Sequence, residues 1–318
     1  MKRRETRTAR IGGVLVGGGN PIVIQSMTVS DTNDIAASVA EVIALANAGA
    51  QIVRLTVPSV KAAESCREIH RRVREAGVDV PLVADIHYTP NAAMLAADIM
   101  EKVRVNPGNY FDRPGRGRSR DDSDFATGAA RVREQFGPLV EKLKANGAAL
   151  RVGVNHGSLS GRMTAEYGDT PNGMVQSAIE YLEVCERLGF HDVVVSLKAS
   201  IPAVTVAANR LFAEEVDKRG WKTPLHVGVT EAGMGEEGRI RSAAGIGTLL
   251  SEGIGDTIRV SLTENPVHEI PAAREILKIA AGVIESRAGA GRSPVVPERA
   301  VTPVTIGGVT VGPGEPFA

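Results

Sequence analysis

The sequence predicts an α/β fold: a parallel (β/α)8 TIM barrel with an N-terminal hairpin and an irregular C-terminal tail. Two observations predict it. Short runs rich in Val, Ile and Leu occur eight times, and the segments between them carry apolar residues at three- and four-residue steps, several stopping at a glycine. Eight such alternations in about 260 residues fit a closed barrel ringed by helices, with a doubly wound open sheet as the alternative.

The first element, "RIGGVLVGGGNPI" (10–22), reads as a small hairpin placed to plug the barrel bottom. Strands are expected at 21–28, 51–57, 81–87, 102–107, 149–155, 192–199, 224–231 and 257–263. Segments such as "DIAASVAEVIALANAGA" and "GMVQSAIEYLEVCERLGF" read as the helices between them. The Gly-, Arg- and Asp-rich "RPGRGRSRDDSD" (113–124) reads as a mobile loop after the fourth strand. The barrel domain is expected to span 1–286. Residues 287–318 are rich in Pro and Gly and read as a linker, or as the start of a truncated following domain. Within that tail, "TIGGVTVGPGEPF" (305–317) repeats residues 10–22 at eight of thirteen positions, as if a second barrel-like unit were beginning.

Composition narrows the function. Lys plus Arg (37) balance Asp plus Glu (37), so no overall basic field recruits nucleic acid or acidic membrane. Aromatic residues make up 3% of the chain, too few for base-stacking platforms. No apolar run is long enough to span a bilayer, and a cytoplasmic location is expected. Cys66 and Cys185 sit singly in helix-like segments with no Cys-x-x-Cys, so they read as structural thiols that hold no metal cluster by themselves.

Strand periodicity locates the candidate site. Along a barrel strand, side chains alternate between lumen and helix layer, and late positions reach the active face. That period pairs Arg54 with Thr56, Asp85 with His87, Arg104 with Asn106, Arg151 with Asn155, Ser196 with Lys198, and Arg259 with Ser261; the seventh strand ends in Thr230 and Glu231. Four arginines and a lysine are thereby expected at one mouth. Two like charges about 6 Å apart repel by roughly 3 kcal/mol at an effective dielectric near 20. Asp85 and Glu231 offset only part of this, so the natural guest is a diphosphate or polyphosphate ester, whose oxygens match guanidinium forks. His87 is a candidate acid/base or orienting donor. Gly233, Gly235 and Gly238 form a G-x-G-x-x-G that reads as a flexible or phosphate-cradling loop rather than a dinucleotide fingerprint. His70, His191, His226 and His268 lack partners at ligand spacing and read as structural.

The same residues carry a resemblance. "PIVIQSMT", "AGAQIVRLTVP", "PLVADIHY", "VRVNPGN", "LRVGVNHGSLS", "VVSLKAS", "HVGVTEAG" and "LLSEGIGDTIRVSLTENPVHEI" resemble the 4-hydroxy-3-methylbut-2-enyl diphosphate synthase family, the iron–sulfur enzymes of the methylerythritol phosphate route to isoprenoids. The resemblance implies a barrel that binds 2-C-methyl-D-erythritol 2,4-cyclodiphosphate, and a separate C-terminal domain holding a 4Fe-4S cluster on three Cys and a Glu. It implies a two-electron reductive ring opening with loss of water, fed by ferredoxin or flavodoxin. It also implies a homodimer in which the cluster of one protomer closes over the barrel of another. By motif, Arg54, Arg104, Arg151, Asn155, Lys198, Arg259 and Ser261 would hold the diphosphate, with Ser196 beside them. Asp85, His87, Asn106 and Glu231 would line the carbon skeleton, and Glu231 would deliver the proton. The sequence departs from the family in lacking the cluster domain's Pro-x-Cys-x-x-Cys segment, so this chain is expected to bind substrate without a redox centre. A longer variant of the family inserts a domain after the barrel, which the hairpin echo would fit. Two other readings stand beside it: a transferase resembling dihydropteroate synthase, and a non-catalytic phosphate-binding subunit.

Overall fold

In the computed structural model, which describes residues 3–111, 125–290, 304–306 and 309–311, the chain enters through an antiparallel hairpin, β1 (Thr8–Ile11) and β2 (Val14–Gly17). Eight parallel strands follow: β3 (Val23–Met27), β4 (Ile52–Thr56), β5 (Leu82–Ile86), β6 (Lys102–Val105), β7 (Ala149–Asn155), β8 (Val193–Lys198), β9 (His226–Val227) and β10 (Thr257–Ile258). They lie in the order β8-β7-β6-β5-β4-β3-β10-β9. The last seam closes through a single bridge, Val195 to Leu225, supported by the Val195 N–H donating to the Pro224 carbonyl at 3.0 Å. This is the expected barrel, nearly closed.

The helices are α1 (Ile35–Ala48), α2 (Val60–Glu75), α3 (Pro90–Ala96), α4 (Pro107–Tyr110), α5 (Phe125–Gln135), α6 (Gly137–Asn146), α7 (Gly161–Tyr167), α8 (Pro171–Arg187), α9 (Pro202–Lys218), α10 (Gly235–Ser242), α11 (Thr248–Ser251) and α12 (Glu269–Ala290). Their starts follow local chemistry. Asp34, Ser59 and Thr170 each accept a hydrogen bond from a first-turn amide, and Pro171 and Pro202 occupy first-turn positions where no N–H is needed. Glycines close α1 at Gly49 and α6 at Gly147, as the sequence pattern anticipates.

The strands sort their side chains by parity. Leu55, Ala84, Val103, Val152, Val195 and Val227 join the large core under the helices. The alternate positions face the lumen, whose floor is a separate cluster of Val23, Ile52, Val83, Ala149 and Val194. Ala9, Ile11 and Val16 of the hairpin complete that cluster, all fully buried. The hairpin therefore plugs the barrel bottom, as its sequence suggests; Ile11 and Val16 each contribute about 1.5–3 kcal/mol by leaving water, and Ala9 less. Asp256 fastens the entry segment by accepting from Thr6 (3.0 Å), Arg3 (3.1 Å) and the Leu225 amide (2.9 Å).

Three boundaries differ from expectation. The seventh and eighth strands pair over two residues each, although runs of eight and seven were expected. At Gly228 the backbone comes so close to the next strand that a Cβ there would lie 2.6 Å from the Arg259 carbonyl oxygen, and the regular ladder ends. Helix α12 continues to Ala290, past the expected domain end at 286. The expected loop at 113–124 lies outside the described residues, as does most of the tail. Within the tail, β11 (Val304–Ile306) and β12 (Val309–Val311) form an antiparallel hairpin, with Ile306 paired to Val309 as Ile11 is to Val14.

Candidate active site

The polar ring is assembled one layer above the aliphatic floor, by the residues two positions further along the same strands. One cavity of about 70 Å³ is lined by Arg54, Asp85, His87, Arg104, Arg151, Asn155, Ser196, Lys198, Arg259 and Ser261, together with Val229 and Thr230. Ten of the twelve candidate residues read from the sequence thus meet at the C-terminal mouth. The space suits a phosphoryl group and a few waters, so a larger ester must rise toward the rim.

Asp85 organises one side. Its Oδ1 accepts from Arg104 Nη1 at 2.7 Å, its Oδ2 lies 3.5 Å from Arg54 Nε, and His87 Nε2 stands 3.6 Å from the same oxygen. Burial pushes its carboxyl up, but Arg104 and Arg54 prevail and hold it well below the usual range. Asp85 is an anion here, fit to hold arginines and unfit to donate a proton. Arg104 links the two strands beside its own, meeting Asp85 on β5 and donating through Nη2 to the Gly153 carbonyl on β7 at 2.8 Å. A Cβ at Gly153 would lie 2.3 Å from Arg104 Nε, so glycine is what lets that guanidinium pass. Gly228 does the same for Lys198, whose Nζ would be 2.9 Å from a Cβ there.

The opposite side is organised by Glu269, which lies in none of the predicted strands. It accepts from Arg259 Nε (3.2 Å) and Nη2 (3.1 Å), from Ser26 Oγ (2.9 Å) and from the Leu262 amide (3.2 Å). The Met27 thioether sits between Arg54 Nη2, at 2.7 Å, and Arg259 Nη1, at 3.4 Å, a soft acceptor bridging two like charges. Burial lowers Arg54 to about 10.

Positive charge is in surplus. Arg151 is 1% exposed, and its Nε and Nη1 meet no acceptor. Burial, then Arg54 and Arg104, hold its guanidinium well below the ordinary arginine range. Lys198 is likewise pushed far down by burial and then by Arg151. Its Nζ lies 2.9 Å from Nε2 of His226, whose Nδ1 stands 3.3 Å from Thr257 Oγ1. His226, read from sequence as structural and unpartnered, is in fact buried behind that lysine, and burial with Lys198 keeps its ring neutral.

Two candidates stand apart. Asn106 is fully buried, its Oδ1 accepting from the Gly108 amide (3.2 Å) as the cap of α4 and its Nδ2 donating to Ser158 Oγ (2.9 Å). It supports the mouth without lining it; the "NPG" turn signal was the sign of this. Glu231 is exposed just beyond Thr230, with φ at +51°, an uncommon conformation for a glutamate. Sequence reasoning missed Met27, Gln25, Lys102, Gly153, Gly228 and Glu269. Parity alone would have found all but Glu269.

Residues 6–274 match the model of the GcpE TIM-barrel domain family. The chain belongs to that family. It is 52% identical over 278 residues to 4-hydroxy-3-methylbut-2-en-1-yl diphosphate synthase (flavodoxin) of Chlamydia felis, covering 87% of this chain and 46% of the relative. The corresponding ferredoxin-type synthase of Parasynechococcus marenigrum is 52% identical over 281 residues, covering 87% of this chain and 71% of the relative. The GcpE-family chain described here thus spans about half the length of the flavodoxin-type relatives it matches. Among solved structures, dihydropteroate synthase of Yersinia pestis superposes with a TM-score of 0.54 at 12% identity, over 88% of this chain and all of that one. That likeness is one of fold alone.

The GcpE barrel holds no site for an iron–sulfur cluster among its described residues. No group of three or more His, Cys, Asp or Glu side chains is placed to hold a metal. Cys66 and Cys185 are buried in α2 and α8, and burial raises the Cys66 thiol to about 12 and Cys185 further. A 4Fe-4S cluster does not fit these residues. Also among the described residues, no helix is long and apolar enough to cross a membrane.

Proposed function

We propose that this chain is the substrate-binding barrel of a 4-hydroxy-3-methylbut-2-enyl diphosphate synthase and takes 2-C-methyl-D-erythritol 2,4-cyclodiphosphate into its mouth. The observation that carries this reading is the convergence of Arg54, Arg104, Arg151, Lys198 and Arg259 on one cavity, answered among the described residues by Asp85 and Glu269. The unpartnered nitrogens of Arg151 lie where a diphosphate oxygen would complete them. Asn155, Ser196 and Ser261 add neutral donors at the same rim.

In the reductive ring opening, the departing hydroxyl needs a proton. Asp85, held ionised by its arginines, does not supply it; Asp85 orients Arg54 and Arg104, and His87 stands above the pair. Glu231, outside the cation ring on the loop after Thr230, is the proton donor in this reading. The electrons come from outside the residues described, with a flavodoxin or ferredoxin as their source in the whole enzyme. The rim supports a covering domain: Val29, Tyr88, Ile201 and Met234 are exposed apolar side chains from four loops at the mouth. Pairing of whole enzymes into a homodimer, with a cluster domain seated on this rim, belongs to the same proposal.

Titration calorimetry at low salt tests it. The cyclodiphosphate is expected to bind, and Arg151→Met to weaken binding by about 2–5 kcal/mol, roughly thirtyfold to several thousandfold. A wild-type chain that ignores the cyclodiphosphate at low salt would sink the assignment.

A further inference from the structure

One cation below the ring has no task in this scheme. Lys102 opens β6 on the same strand face as Arg104, one layer deeper, and is 0% exposed. Its Nζ has one hydrogen bond, to the neutral Oε1 of Gln25 on β3 at 3.3 Å, a poor exchange for the hydration of an ammonium group. Val83 and Ala149, its partners across the two neighbouring ladders, bring no charge. Arg54 on β4 and Arg151 on β7 oppose its charge, and it in turn opposes protonation of His226 on β9. The acids that contact the ring, Asp85 and Glu269, are engaged by Arg104, Arg54 and Arg259. Gln25 Nε2 and Arg151 Nε and Nη1 are buried donors without acceptors, so this depth of the lumen offers donors and asks for negative charge.

We propose that Lys102 is a charge-responsive floor to the site: neutral in the free barrel, it takes up a proton from solvent when a diphosphate ester enters above it. Ligand binding is thereby linked to proton uptake. The step is Lys–NH2 plus H⁺ giving Lys–NH3⁺, with no bond to the ligand made or broken. Burial, then Arg151 and Arg54, hold the free lysine well below its ordinary range, and the incoming negative charge offsets that repulsion. The sign follows: protons are taken up between the depressed pKa of the free state and the higher one of the loaded state, and affinity weakens as pH rises through that interval.

This inference rests on the diphosphate reading of the lumen, and the experiment separates the two. The whole chain is titrated with 2-C-methyl-D-erythritol 2,4-cyclodiphosphate near neutral pH in buffers of different ionisation enthalpy. Each phosphorus of that ring carries one acidic oxygen, ionised throughout, so the ligand contributes no proton change. The wild type is expected to show buffer-dependent enthalpy equivalent to about one proton or more per ligand, because Lys198 can add to it. Lys102→Met is expected to keep binding and lose up to about one proton of that uptake. Lys102→Gln, which preserves polarity, gives the same readout if the methionine variant folds poorly. Binding with buffer-independent enthalpy, or equal uptake in wild type and both variants, overturns the role of Lys102. No binding at all overturns the diphosphate reading instead.

Discussion

The floor and the mouth of the lumen are built by the same strands, two residues apart, and obey opposite rules. Val23, Ile52, Val83, Ala149 and Val194 form a dry layer sealed by the hairpin. Arg54, Asp85, Arg151 and Ser196, next on the same faces, form a layer whose charges do not cancel. Except at Lys102, which stands in register with Val83 and Ala149, the floor is complete in itself: aliphatics close-packed against aliphatics need nothing further. The mouth is incomplete, since buried donors there lack acceptors. One layer is satisfied by its own packing and the other leaves polar groups unsatisfied.

Ile11→Ala breaks the floor and should have the largest effect on folding. Ile11 is fully buried in the plug, so its truncation should lower stability by about 2–5 kcal/mol in chemical denaturation. Affinity for the cyclodiphosphate, measured on the folded fraction, should stay within about threefold of wild type. Gly153→Ala strikes the mouth instead. Its Cβ collides with Arg104, so ligand affinity should fall by about 1–3 kcal/mol, with a smaller change in denaturation midpoint than Ile11→Ala causes. The smallest effect is that of pH on the free barrel. Lys102 and Lys198 are depressed in the folded state, so the unfolded chain binds more protons between those values and the ordinary lysine range. Stability of the ligand-free protein should therefore rise as pH is raised toward the ordinary lysine range, and this slope should flatten in Lys102→Met.

Much of this contrast was legible in the sequence, because a strand's period of two is a local property. Arg54, Arg104, Arg151, Lys198 and Arg259 could be placed on one face by counting. Lys102 obeys the same count, two residues before Arg104 at the very start of the run. His226 was passed over because its partner Lys198 is 28 residues away on another strand. Glu269 was beyond reach for a different reason. It starts a helix, and only the return of α12 against β3 brings it to Arg259 and Ser26. Asn106 carries two signals at once: strand parity places it beside Arg104, and the following Pro107 and Gly108 mark the turn that its side chain caps. Boundaries failed where pairing is irregular, at the two-residue strands β9 and β10.

The hairpin beneath the barrel turns the lumen into a blind shaft. With its lower end stoppered by Ala9, Ile11 and Val16, whatever descends toward Arg151 must return by the route it came. Arrival and departure share one doorway, ringed by Val29, Tyr88, Ile201 and Met234. Any body that seats on that doorway closes the only way in or out past the described residues.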